Sequence, residues 1–164
     1  MVGRPTIDGW TPPSASQRRA ILDRSTSVAI VGASANPARA SNFVITYLLS
    51  SSADFDVYLV SPREDTILGQ PVYDSLSDLP VVPDIVDVFR RSEDLPTVAE
   101  EAIAVGAGAF WAQLGLWSQD AASIAVGAGL DVVMDRCVKI EHARFHGGLH
   151  LAGFDTGVIS ARRR

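Results

Sequence analysis

In the stretch "SVAIVGASANPARAS", Ser27 to Ser41, Gly32 is followed by Ser34, Asn36 and Arg39. Residues of these types at this spacing suit one chemistry, the holding of a phosphate. Glycine lets the chain turn tightly. Backbone N–H groups at a following helix start point at an anion, and the helix dipole favours negative charge there. Ser34 and Asn36 supply hydrogen-bonding groups, and Arg39 a guanidinium that grips phosphate oxygens. The G-x-G-x-x-G of dinucleotide sites is absent, so the candidate loop is Gly32, Ala33, Ser34, Asn36, Pro37 and Arg39.

Three further short segments qualify. Ser61, Pro62 and Arg63 stand where a nicotinamide dinucleotide site usually carries an acid for the ribose 2′-hydroxyl. An arginine there suits an additional phosphate on the ribose, as in NADP or coenzyme A. The competing reading is a surface arginine paired with Glu64 or Asp65, a weak kind of contact. In "VFRR", Phe89 and Arg90 suit packing on an adenine or a pantetheine arm, or equally on a helix with a solvated outer side. Gln113, Leu114 and Gly115 form the last segment, where Gly115 permits a close backbone approach.

Catalytic signals are sparse. Cys137 follows Asp135 and Arg136, and a neighbouring arginine favours a thiolate; a buried, inert cysteine is the expectation. His142, His146 and His150 lie four apart, but Gly147 and Gly148 break a helix before His150, and Glu141 is not in an H-E-x-x-H arrangement. No metal site is expected, and the histidines are read as capping the last helix and lying in the tail. There is no nucleophile elbow and no Walker motif.

The elements that must position these residues follow from hydrophobic patterning. "SASQ" at Ser14 to Gln17 is a capping box opening a short helix through "RRAILDR". "SVAIVG", "FDVYLVSP", "PDIVDVF", "GAFWAQL" and "LDVVM" are short apolar runs that read as five buried strands. Ala40, Phe43, Val44, Tyr47 and Leu48 share one helical face, as do Leu95, Val98, Ala99, Ala102 and Ile103. Ala121, Ile124, Ala125 and Ala128 mark another helix. "IAVGAG" occurs at Ile103 to Gly108 and again at Ile124 to Gly129, which predicts the same glycine-capped helix-to-strand joint twice.

Strands alternating with helices predict an α/β fold, a three-layer, doubly wound, Rossmann-like parallel sheet of about five strands. Ligands of such folds sit outside the carboxyl ends of the strands, where all four candidate segments fall. The expected organisation is an N-terminal arm and short helix over 1–26, a Rossmann-like domain over 27–142 and a C-terminal tail over 143–164. The chain of 164 residues suits a single core. Its net charge of -5 argues against nucleic acid as a partner. One cysteine excludes an internal disulfide, and "MVGRPTIDGW" holds no apolar run of signal-peptide length. No stretch approaches the ~18 apolar residues of a membrane helix. A soluble, cytoplasmic protein that does not engage a membrane is expected.

Taken in order, "VAIVGASANPARAS", "VSP", "LGQPVYDSLSDLP", "DIVDVFRR", "WAQLGLW" and "GLDVVMDRCVKIEH" resemble the small stand-alone CoA-binding protein family. Its fold is similar to the CoA-binding N-terminal domain of the succinyl-CoA synthetase alpha subunit. The resemblance covers about Ser27 to His142. It implies phosphates resting on Gly32 to Arg39 and the adenosine 3′-phosphate meeting Ser61 to Arg63. The rest of the cofactor runs past Phe89, Arg90 and Gln113. The family often has asparagine where this chain has Ser61. The synthetase's phosphohistidine domain and partner subunit have no counterpart here, so ligase activity is not expected.

Two functions stay open at this point. One is a CoA- or acyl-CoA-binding or sensing module without catalysis of its own. The other is an enzyme, either an NADP-linked oxidoreductase or a CoA transferase using Cys137. The absence of a second, substrate-forming domain favours the first. The apolar, glycine-containing tail suggests a homo-oligomer contact.

Overall fold

The computed structural model describes residues 6–50 and 53–146. The tail from Gly147, with His150 and most of the expected subunit contact, lies outside the described residues.

Among the described residues seven strands form one sheet, β1 (Ser27–Val31), β2 (Asp56–Val60), β3 (Thr66–Ile67), β4 (Gln70–Tyr73), β5 (Ile85–Val88), β6 (Ala109–Ala112) and β7 (Asp131–Val133). Their order is β3-β4-β2-β1-β5-β6-β7. All pairs are parallel except β3 with β4. The five expected strands are β1, β2, β5, β6 and β7. The two extra strands are a hairpin in "TILGQPVY", turned by Leu68 and Gly69, both with positive φ. That two-residue turn is what a tight hairpin needs. Two-residue β3 and a β4 containing Pro71 carry too little alternation to read as strands.

β1 is buried along its whole length, as a continuous apolar run between two layers must be. Five helices cover the sheet: α1 (Ala15–Arg24), α2 (Ala40–Leu48), α3 (Leu95–Val105), α4 (Gln119–Gly127) and α5 (Val138–His146). One core joins Ala29, Val86 and Phe110 to α3 and α4. The other joins Ile30, Ile85 and Trp111 to α1, α2 and the start of α5. β1 feeds α2 on one face and β5 feeds α3 on the other, so the winding reverses between β1 and β5. That crevice is where open α/β sheets take ligands.

The helix ends follow their residues. Ser14 and Gln17 make the reciprocal capping box of α1. Arg18 on α1 is buried and donates to Glu141 of α5 at 2.5 Å and to the Pro13 carbonyl at 2.8 Å. Glu141 is also paired with Arg144 at 3.6 Å, whereas losing Glu141 would leave the Arg18 charge buried without a carboxylate, which is strongly destabilising. The "IAVGAG" echo is used differently in its two copies. α3 ends on Gly106, but α4 runs on, and Gly129 rather than Gly127 takes the left-handed conformation. In both, the following N–H closes onto a carbonyl five residues back, Ala107 to Ala102 and Leu130 to Ala125.

The buried face of α2 differs from the apolar stripe. Val44, Ile45 and Leu48 are buried, but so are Ser41 and Asn42, while Phe43 is 61% exposed and Ala40 is exposed. Asn42 Nδ2 donates to the Ser34 carbonyl, which turns the helix start toward the loop before it. Phe43 lies instead beneath the Lys139 ammonium, 5.9 Å from its ring centre.

β5 holds an unusual core residue. Asp87 is fully buried between Ile30 of β1 and Trp111 of β6, on the face that packs α2. Neither carboxylate oxygen has a hydrogen-bond partner among the described residues. Burial pushes its carboxyl well above the usual carboxylate range and so favours the neutral acid in the folded chain. Below the ordinary carboxylate pKa, folded and unfolded chains are both protonated. As pH rises the unfolded chain ionises first, and stability falls until the folded group ionises too. Asp87→Asn removes that penalty. Its thermal midpoint is expected to exceed the wild type by several degrees at pH 7, with little gain at pH 4, as followed by circular dichroism.

Gly32 ends β1 with φ 89°, and a methyl group there would lie 3.1 Å from the Phe89 carbonyl oxygen. Both the backbone region and the space demand glycine. Gly32→Ala is expected to lower the unfolding free energy by about 1–3 kcal/mol in urea titrations.

Candidate functional site

A cleft of about 660 Å³ opens at the crevice between β1 and β5 and extends over the end of β2. This is within the usual size of small-molecule sites. Its walls come from three strand exits. After β1 come Gly32, Ala33, Ser34, Arg39, Ala40 and Ser41; after β2 come Ser61, Pro62, Arg63 and Glu64; after β5 come Phe89, Arg90, Arg91 and Asp94. Nine of the candidate residues therefore meet in one place.

The loop is held by its own side chains. Gly32 N and Ala33 N both donate to the Val60 carbonyl, which lays the loop across β2. Asn36 N donates to Ser34 Oγ at 3.1 Å, and Ala38 N to Asn36 Oδ1 at 2.9 Å. Arg39 N donates to the Asn36 carbonyl. Asn36 and Pro37 thus build an exposed turn and do not line the cleft. Ala35 N donates to Glu64 Oε2 at 2.8 Å.

The floor is the start of α2. Arg39 precedes the helix without a side-chain cap. Ser41 is 2% exposed, and its hydroxyl has no hydrogen-bond partner among the described residues. A buried hydroxyl without a partner thus stands in the cleft beside a helix start that no side chain caps.

Four arginines face two carboxylates around the cleft. Asp94 holds Arg90 at 3.5 Å and Arg91 at 3.3 Å. Among the described residues neither Arg39 nor Arg63 is paired with a carboxylate, so the surface pair of Arg63 with Glu64 or Asp65 does not form. Ser61 is buried; its hydroxyl accepts from Arg63 N at 3.2 Å and turns the chain at Pro62. Phe89 is half-buried and forms the wall beside Gly32.

Gln113, Leu114 and Gly115 lie outside this cleft. Gln113 is buried, and its Oε1 accepts from Val138 N at 3.0 Å, capping α5. Gly115 takes a φ of 91°, and its N–H donates to Asp135 Oδ1. Leu114 is exposed. Cys137, expected buried, is half-buried at the start of α5. His142 is neither a cap nor part of the tail. It is buried within α5, Tyr47 Oη lies 2.7 Å from its Nδ1, and Phe55 packs edge-on against its ring.

Sequence reasoning missed Ser41, Glu64 and Asp94 as lining residues. Ser41 stands on the polar side of the apolar stripe, and Glu64 and Asp94 look like ordinary surface acids. The spacing of Asp94, four after Arg90, was the available signal.

Comparison with known proteins places this geometry in a family. The model of the CoA binding domain family matches residues 26–143. The uncharacterized protein YneT of Bacillus subtilis (strain 168) is 40% identical over 131 residues, covering 80% of this chain and 96% of the relative. A hypothetical protein from Pyrococcus horikoshii OT3 is 34% identical with a TM-score of 0.76, covering 87% of this chain and 98% of that one. Prb, the PH1109 protein redesigned for binding, is 36% identical with a TM-score of 0.78, covering 82% and 94%. The dinucleotide-forming acetyl-coenzyme A synthetase 1 of Ca. Korarchaeum cryptofilum shares the fold, with a TM-score of 0.60 at 21% identity over 67% of this chain and 26% of its own. The chain described here belongs to the CoA-binding-domain family.

Proposed function

We propose that the protein binds coenzyme A in the β1/β5 cleft and acts as a binding or sensing module without catalysis of its own. The observation that carries this reading is the pairing of a buried, unpartnered Ser41 hydroxyl at the uncapped start of α2 with two unpaired arginines, Arg39 and Arg63. The pyrophosphate rests on the start of α2 between Ser34 and Ser41, gripped by Arg39. The 3′-phosphate meets Arg63. Phe89 and Arg90 pack against the adenine or the pantetheine arm, and the arm leaves over the end of β6, past Leu114 and Gly115. Membership of the family supports coenzyme A over other phosphates at this place. NADP presents the same extra ribose phosphate and is the reading to be tested beside it.

Thermal unfolding with CoA, dephospho-CoA, NADP and NAD separates these. At ~100 times its dissociation constant a ligand adds about 2.7 kcal/mol, enough to raise the midpoint by several degrees. CoA is expected to shift the midpoint most, dephospho-CoA less and NAD not at all. Arg63→Ala is expected to erase the difference between CoA and dephospho-CoA. A shift with NADP alone overturns the reading in favour of a nicotinamide cofactor.

A further inference from the structure

Glu64 already occupies the anion position on the loop. Its Oε2 accepts from Ala35 N at 2.8 Å, and the side chain lines the same cleft as Arg39 and Arg63 while pairing with neither. The carboxylate thus accepts from a backbone N–H of the candidate phosphate loop rather than pairing with either arginine. The other loop amides with identified partners are bound to Val60, Ser34 and Asn36. Ala35 N is the one of these amides whose partner is a carboxylate.

We propose that Glu64 sets the affinity threshold of the site, by acting as an internal mimic of a ligand phosphate. This rests on the cleft being a phosphate site, as read above. A ligand phosphate that takes the Ala35 N–H exchanges one charge-assisted bond for another and gains nothing at that contact. It must also push one anion away from another. Every anionic ligand is weakened by the same factor. A small anion then falls below useful affinity. A ligand that also reaches Arg63 and the Ser41 hydroxyl stays bound. Glu64 thereby sets the level of affinity that any ligand must exceed, and leaves the ratio of affinities between ligands unchanged.

Two variants separate its two effects. Glu64→Gln keeps an acceptor oxygen for Ala35 N and removes the charge. Glu64→Ala also frees the N–H. Titration calorimetry of the full chain with inorganic pyrophosphate and with CoA reads both. Glu64→Ala is expected to tighten both ligands by about tenfold, the size of one charge-assisted hydrogen bond, and by equal factors. Glu64→Gln is expected to give part of that gain, and its share shrinks as sodium chloride is raised. If CoA binds the wild type and neither variant binds it or pyrophosphate more tightly, the role of Glu64 is overturned and the CoA reading stands. If the variants gain pyrophosphate but no form of the protein binds CoA, the role of Glu64 stands and the CoA reading falls. If no form binds either ligand, both fall.

Discussion

The site depends on one close crossing of backbone. Where Gly32 leaves β1, the chain passes so near Phe89 and Arg90 that a single added carbon would meet the Phe89 carbonyl. β1 and β5 are parallel neighbours, yet the chain leaves them toward opposite faces of the sheet, to α2 and to α3. The exits must diverge, and the divergence opens the cleft. A positive φ at Gly32 starts that divergence at once. Residues within a few positions of the strand ends then become the walls, whatever lies between them in sequence.

A loop with one glycine solves its backbone problem differently from a glycine-rich one. Glycine-rich phosphate loops leave N–H groups open for the ligand. Here Ser34 and Asn36 accept from the following amides, and Asn42 donates back to Ser34 from α2. The loop is thus fixed before any ligand arrives, which lowers the ordering cost of binding. The same wiring turns Asn36 away from the cleft and leaves its lining to the start of α2, to Ser41 and to the arginines.

What the sequence made legible, and what it hid, divides along the range of the interactions. The five expected strands were readable because each is a short apolar run bounded by glycine, proline or charge. The strand exits followed from fold logic alone, and nine of the residues at them meet in the cleft. The β3–β4 hairpin was hidden because its turn uses Leu68 at positive φ, a position glycine or asparagine normally fills. The buried face of α2 was misjudged because Asn42 answers a carbonyl eight residues away, a demand no hydrophobic periodicity records. Gln113 sits at a strand end as expected, but its oxygen caps α5, which begins 25 residues later in the chain. For α2 and for Gln113 the deciding partner is a polar atom distant in sequence.

The charge around the cleft is arranged against the charge of the chain. The protein carries a net charge of -5. Its cleft nevertheless gathers four arginines, two held in place by Asp94 and two left unpaired. Asp87 lies two residues before Phe89, on the face of β5 that packs α2. Ionised, it would set a negative charge two residues from the β5 exit, in a medium of low dielectric where repulsion of any other anion is strong. Burial raises its pKa and so disfavours that ionised form. The same desolvation that costs the fold stability above the ordinary carboxylate pKa therefore works against an opposing charge in the strand whose exit carries Arg90 and Arg91 into the cleft.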